Sequence, residues 1–101
     1  MDTAFYQIVW TKRAQEELQL VYNFISKDSP QNASNIVNDI IDAVGRAEQN
    51  PAIYRPDKYK VANDGSYRAF EKHGYRISYR FNNAIVRILR VRHTKMKPSF
   101  Y

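Results

Sequence analysis

The sequence predicts an α+β fold of order β-α-α-β-β-β, in which an antiparallel helical hairpin packs on a mostly antiparallel sheet. Three observations carry this. Two consecutive stretches repeat their apolar residues at helical spacing, and a single turn separates them. Three later segments are short, rich in β-branched and aromatic residues, and joined by turn chemistry. A further aromatic and β-branched segment, Phe5-Tyr-Gln-Ile-Val-Trp10, opens the chain and reads as a strand.

Thr11 is placed to cap the first helix, although Ala14 stands where a capping box has Glu. Ala14, Leu18, Val21 and Ile25 follow i, i+4, i+7, i+11 and make one apolar stripe, ending near Ser26. Lys27-Asp28 breaks the pattern. Ser29-Pro30 restarts it, with Ser as N-cap and Pro at the first helical position, where its missing N–H costs nothing. Ala33, Ile36, Val37, Ile40, Val44 and Ala47 then hold helical spacing up to Asn50-Pro51. Gly45 weakens this second helix by about 1 kcal/mol relative to Ala without breaking it.

From Pro51 to Ser66 the chain reads as irregular, with Pro51, Pro56, Asn63, Asp64 and Gly65 as turn residues. Tyr67 to Glu71 is the first strand of a three-stranded antiparallel meander, and His73-Gly74 turns it into Tyr75 to Phe81. There Tyr75, Ile77, Tyr79 and Phe81 alternate with Arg76, Ser78 and Arg80, so one face packs on the helices and the other carries cations. Asn82-Asn83 turns the chain into Ile85 to His93. Strict alternation in this last strand groups Arg87 with Ile85, Leu89 and Val91. It also puts His93 on the helix side, away from Arg76. A bulge at Arg92–His93 would bring the two together, and the sequence leaves both registers open.

Length sets a prior of one domain over 1–101, since 101 residues bury roughly 65% of their unfolded surface in one core. The absence of cysteine excludes disulfide scaffolds, zinc–cysteine sites and thiol nucleophiles. No signal peptide is visible in Met1 to Lys12, and no apolar run approaches the ~18 residues of a membrane span, so the expected setting is cytoplasmic, with no membrane partner. The net charge of +6 is unevenly placed. Residues 67–101 hold nine Lys/Arg against Glu71 alone, +8, whereas residues 1–66 sum to −2. Such asymmetry points to a polyanionic partner: nucleic acid, an acidic protein segment or anionic lipid.

Motifs of general catalysis are missing: no phosphate-cradling glycine loop, no HExxH, and His73 and His93 lie in different elements. No metal or other cofactor is expected. The candidate target-binding set is Arg68, Arg76, Arg80, Arg90, Arg92, Lys95 and Lys97, since arginine offers planar bidentate donors suited to phosphate. Arg87 is the ambiguous member of this cluster, with snorkelling or pairing to an acid of the second helix as its ordinary explanation. Tyr67, Tyr75, Tyr79 and Tyr101 interleave with the cations. Alternation assigns Tyr75 and Tyr79 to the core, and no packing pattern accounts for Tyr101.

Several of these segments together resemble a ParE-type toxin of the RelE/ParE superfamily. They are Thr11-Lys-Arg-Ala14, Glu17-Leu18, Tyr22-Asn-Phe-Ile25, Asp28-Ser-Pro-Gln31, Gly74-Tyr-Arg-Ile-Ser-Tyr79 and Arg87-Ile-Leu-Arg-Val-Arg-His93. The resemblance covers nearly the whole chain, 51–66 being its least diagnostic part. It implies the toxin of a bacterial type II toxin–antitoxin (plasmid stabilisation) system, neutralised by a cognate antitoxin with an acidic, partly disordered tail. RelE-like members cleave mRNA on the ribosome without a metal, whereas ParE-like members poison DNA gyrase. The arginine of the Gly-Tyr-Arg pattern falls on Arg76. A histidine ending the last strand falls on His93, and the cation and tyrosine of the C-terminal segment fall on Lys95 and Tyr101. In a nuclease, His93 or Glu71 is the base, Arg76 and Lys95 are the cations and Tyr101 positions the substrate. Against this, the two lysines of such nucleases fall near Tyr67 and Ala69, which cannot replace them. The long helical hairpin favours the ParE-like branch, and a non-toxic nucleic-acid-binding module is the remaining alternative.

Overall fold

The computed structural model describes residues 5–101. In chain order it contains β1 (Gln7–Trp10), α1 (Lys12–Ser26), α2 (Pro30–Gly45), a 3-10 turn (Arg46–Glu48), β2 (Arg55–Pro56), β3 (Tyr67–Lys72), β4 (Tyr75–Asn82) and β5 (Ile85–His93). Both helices begin as their caps dictate. Thr11 accepts from the Ala14 N–H and Ser29 from the Asn32 N–H, each at 3.1 Å. The second helix is α-helical only to Gly45. Its expected last turn, around Ala47, tightens into the 3-10 turn.

The meander is the centre of a larger sheet, of order β1-β5-β4-β3-β2. β1 runs parallel to β5, because α1 and α2 intervene and return the chain to the same edge. β2 is a two-residue strand from the segment read as irregular, with Pro56 on the outer edge, where a missing N–H costs no ladder bond. Both helices lie on one face. Ala14, Val21, Ile40, Val44 and Ala47 meet Tyr75, Ile77, Tyr79, Val86, Ile88 and Val91 there to form the core. Tyr79 is 1% exposed, and its hydroxyl donates to the Pro51 carbonyl at 2.6 Å. Burial pushes its pKa up to about 12. Tyr75 and Tyr79 are therefore core residues, as alternation requires.

Two expectations need correction. The last hairpin turns at Asn83-Ala84, both with positive φ (49° and 62°), one residue later than Asn82-Asn83. The bulge in β5 is also elsewhere: Ser78 pairs with Arg90 and Tyr79 with Ile88, so Leu89 is the extra residue. This shift reverses the parity of β5 upstream of it. Val86 and Ile88 turn into the core, and Arg87 turns out to solvent opposite Arg80. Arg87 neither snorkels along the helices nor pairs with an acid of α2.

Candidate target-binding face and its cleft

Opposed residues in a ladder leave the sheet on the same side, so register assigns each cation to a face. Arg76 faces Arg92, Ser78 faces Arg90 and Arg80 faces Arg87 across β4 and β5, all on the surface turned away from the helices. Glu71 lies beside Arg76 on β3. His93 faces Tyr75, and their rings meet edge-on with centroids 5.2 Å apart. The His93 ring therefore leaves on the helix side, and the Arg92–His93 bulge that was to join it to Arg76 does not form. Its Nδ1 accepts the Lys95 N–H at 3.0 Å.

Arg68 is the other residue on the helix side. It faces Tyr79, and its guanidinium donates to the carbonyls of Gly65 (2.7 Å) and Tyr54 (3.0 Å). It serves the backbone of the 51–66 segment and is not part of the outer cationic face. Lys95 and Lys97 are exposed on the C-terminal segment.

A cleft of about 440 Å³ opens on the outer face. Ser78 and Leu89 lie in it, Thr11 and Arg13 line one side, and Met96, Pro98 and Tyr101 of the C-terminal segment line the other. Within it Arg76, Glu71 and Tyr101 come together around a residue the sequence reading missed, Asp57, whose side chain is 2% exposed. Asp57 Oδ1 accepts from Arg76 Nη2 at 2.8 Å and from the Tyr59 N–H at 3.0 Å, and Oδ2 accepts from the Tyr101 hydroxyl at 2.6 Å. Burial opposes the carboxylate's charge, but the Tyr101, Arg76 and Tyr59 hydrogen bonds outweigh it and hold the group below the ordinary carboxylate value. The Tyr101 hydroxyl is pushed far up, first by burial and then by the carboxylate it donates to. Arg76 also stacks 4.8 Å over the Tyr59 ring, and its Nη1 lies 3.5 Å from Glu71.

Backbone pairing holds the tail in place. Tyr101 N–H donates to Tyr59 O at 3.1 Å and Val61 N–H to Tyr101 O at 2.7 Å, while the Tyr101 ring meets Tyr67 edge-on. The only sequence signal for Asp57 was a lone acid in a basic neighbourhood, and nothing in its spacing separates it from a turn residue.

At the other end of the cleft, Arg90 makes a bidentate pair with Glu17 of α1 (2.8–3.1 Å), and Glu17 also accepts the Val91 N–H at 3.0 Å. β1 stops at Trp10, so this N–H has no strand partner, and the α1 carboxylate supplies one. Arg92 keeps one long contact, 3.4 Å to the Lys97 carbonyl, and its buried Nε has no partner. Arg80 touches Ser66 Oγ and lies over the Tyr67 ring. Among the described residues, Arg80, Arg87 and Arg92 have no acidic partner, no three His, Cys, Asp or Glu cluster as metal ligands, and no helix is long and apolar enough to cross a membrane.

The family model for the ParE toxin of type II toxin–antitoxin systems, parDE, matches residues 8–98. The chain belongs to the ParE toxin family. Its fold is also that of solved toxin–antitoxin structures. The chromosomal ParDE system of P. aeruginosa contains a chain 21% identical, with TM-score 0.75 over 91% of this sequence and 99% of that one. A chain of the RelBE2 toxin–antitoxin complex of Mycobacterium tuberculosis is likewise 21% identical, with TM-score 0.56 over 91% and 94%. No curated protein sequence matches. In this ParE family toxin the outer sheet face gathers five arginines, of which Arg76 and Arg90 are paired with acids.

Proposed function

We propose that this toxin arrests growth in the cytoplasm by ParE-like poisoning of DNA gyrase, binding its target through the outer sheet face and performing no chemistry of its own. The observation that carries the reading is that the His93 ring leaves β5 on the helix side, against Tyr75, although His93 also borders the cleft that holds Arg76. Metal-free cleavage of RNA needs a base for the 2′-OH and an acid for the leaving oxygen, placed about one phosphate. Around Arg76 two of the candidates are committed otherwise, and Glu71 is left beside it, mostly exposed. Asp57 is sequestered as an ionised hydrogen-bond acceptor, and the Tyr101 hydroxyl holds its proton against that carboxylate. Beside Glu71, the face offers an array of guanidinium groups suited to a polyanionic surface.

The RelE-like alternative rests on one observation, that Glu71, Arg76, His93 and Tyr101 all line the same cleft. Induction of the chain in bacteria tests both. Gyrase-dependent DNA breaks without cleavage of ribosome-bound mRNA are expected, and mapped mRNA ends without breaks replace this reading with the nuclease.

Neutralisation by an antitoxin completes the proposal. An acidic tail suits the outer face, and its apolar anchors suit the groove lined by Trp10, Leu18, Tyr22, Val37 and Ile41 between the helices.

A further inference from the structure

Arg76 is distinguished from its neighbours by how it is held. Arg80, Arg87 and Arg92 have no acidic partner among the described residues, and Arg90 is tied to a helix. Arg76 alone is fixed by a carboxylate sequestered beneath the tail, with an aromatic ring at 4.8 Å and a second acid at 3.5 Å. The Asp57 backbone is itself tied on both sides: its N–H donates to Tyr67 O at 2.8 Å and its carbonyl accepts from Lys60 N–H at 3.2 Å. A buried carboxylate is costly unless its oxygens are satisfied, and here three donors satisfy them. One of these comes from β4, one from the 57–61 loop and one from the last residue of the sequence.

We infer that Asp57 is a positioning residue for the toxin's action: it fixes the Arg76 guanidinium on the outer face, and Tyr101 is the second anchor that keeps Asp57 and the tail in register. This rests on the reading that the outer face contacts the target. One of the five Arg76 N–H donors is spent on Asp57 and the Nη1 side lies 3.5 Å from Glu71, which leaves the remaining donors oriented for a target anion. A long cationic side chain loses most of its freedom before the target arrives, which removes that ordering cost from binding.

The test uses the full chain as wild type, Asp57→Asn, Tyr101→Phe, Arg76→Lys and the Asp57→Asn/Arg76→Lys double variant. Growth-arrest potency at matched protein level is read beside the Arg76 Nε–H signal in ¹⁵N NMR. Asp57→Asn is expected to cut potency about 10-fold or more, as loss of a positioning contact does. It should also release the Arg76 signal into fast averaging while melting stays cooperative. In the Arg76→Lys background the same change should cost less than 3-fold, because the fork that Asp57 aligns is gone.

Wild-type potency in Asp57→Asn, an unchanged Arg76 signal, or an undiminished loss in the double variant overturns the inference. Should Asp57→Asn fail to fold, Tyr101→Phe must shift both readouts in the same direction, and no shift overturns it. Scoring DNA breaks in the same cells separates the two readings. Arrest without gyrase-dependent breaks removes the gyrase target and leaves the potency ratio to decide Asp57. If the wild type arrests nothing, the outer-face reading fails and the Arg76 signal still decides whether Asp57 fixes it.

Discussion

Tyr101 and Asp57 tie the last residue of the sequence to the centre of the cleft through one hydrogen bond of 2.6 Å, and its worth depends on pH at both ends of the scale. The carboxyl has a folded pKa below its ordinary 3.8. Its stabilisation is therefore full above the unfolded value and is lost as pH falls through the folded one. The hydroxyl has a folded pKa above its ordinary 10.0. Its contribution is full below that value and is lost as pH rises through the raised one. Tyr101→Phe should cost about 1 kcal/mol at neutral pH, below the range of about 1.5–3 for a bond to a charged group because Tyr101 keeps 44% of its surface exposed. Urea midpoints of wild type and variant should differ by a constant amount between about pH 5 and 9 and converge in acid. A gap that persists at pH 2 is the contrary result. None of this was legible beforehand: Tyr101 lacked a pattern, and a hydrogen bond across 44 residues leaves no periodic trace.

Elements are joined by equally specific contacts. Glu17 bolts α1 to the bulged part of β5, through a pair whose side chains are 19% and 26% exposed. Glu17→Ala leaves both the Arg90 guanidinium and the Val91 N–H without a partner. Its expected cost is about 2–3 kcal/mol, below the figure for a fully buried pair. For a domain this size that lowers the melting temperature by roughly 10 °C or more in a thermal scan. The hairpin between β4 and β5 offers the opposite sign. Ala84 is held at φ 62°, where a Cβ costs about 1–2 kcal/mol. Glycine gives back about 0.4–1 kcal/mol in unfolded-chain entropy, so Ala84→Gly should stabilise the protein by about 0.5 kcal/mol in denaturant titration. Helices and strands themselves were readable, because periodicity and capping are local. The Leu89 bulge was not, since alternation has no means of signalling one extra residue, and with it went the true facing of Arg87.

Over the whole molecule, charge is sorted by face and then partly cancelled. The +8 of residues 67–101 overstates the working field, because Asp57 and Glu17 from the acidic two-thirds reach across to Arg76 and Arg90. Retention on a polyanionic resin should therefore fall more for Arg87→Ala or Arg92→Ala than for Arg90→Ala, whose main effect should be on stability. Equal loss of retention for all three contradicts this sorting. Co-expression with the neighbouring gene is expected to give a complex that survives 1 M salt. Screening contracts the Debye length from roughly 8 Å at 0.15 M to 3 Å and leaves apolar anchors in the Trp10–Ile41 groove intact. Dissociation at 1 M would assign the contact to the cationic face alone.

The sequence by itself determined the two helices and four of the five strands in their order, the core tyrosines, the cationic side of β4 and the family likeness. Each is written in residues close enough to repeat with the period of a helix or a strand. Only the tertiary structure decided that β1 closes the sheet in parallel, that His93 and Arg76 part company, and that Asp57 stands between Arg76 and Tyr101. These depend on contacts between segments distant in the chain, where burial and the need to satisfy a charged group select the partner and no local spacing records the choice.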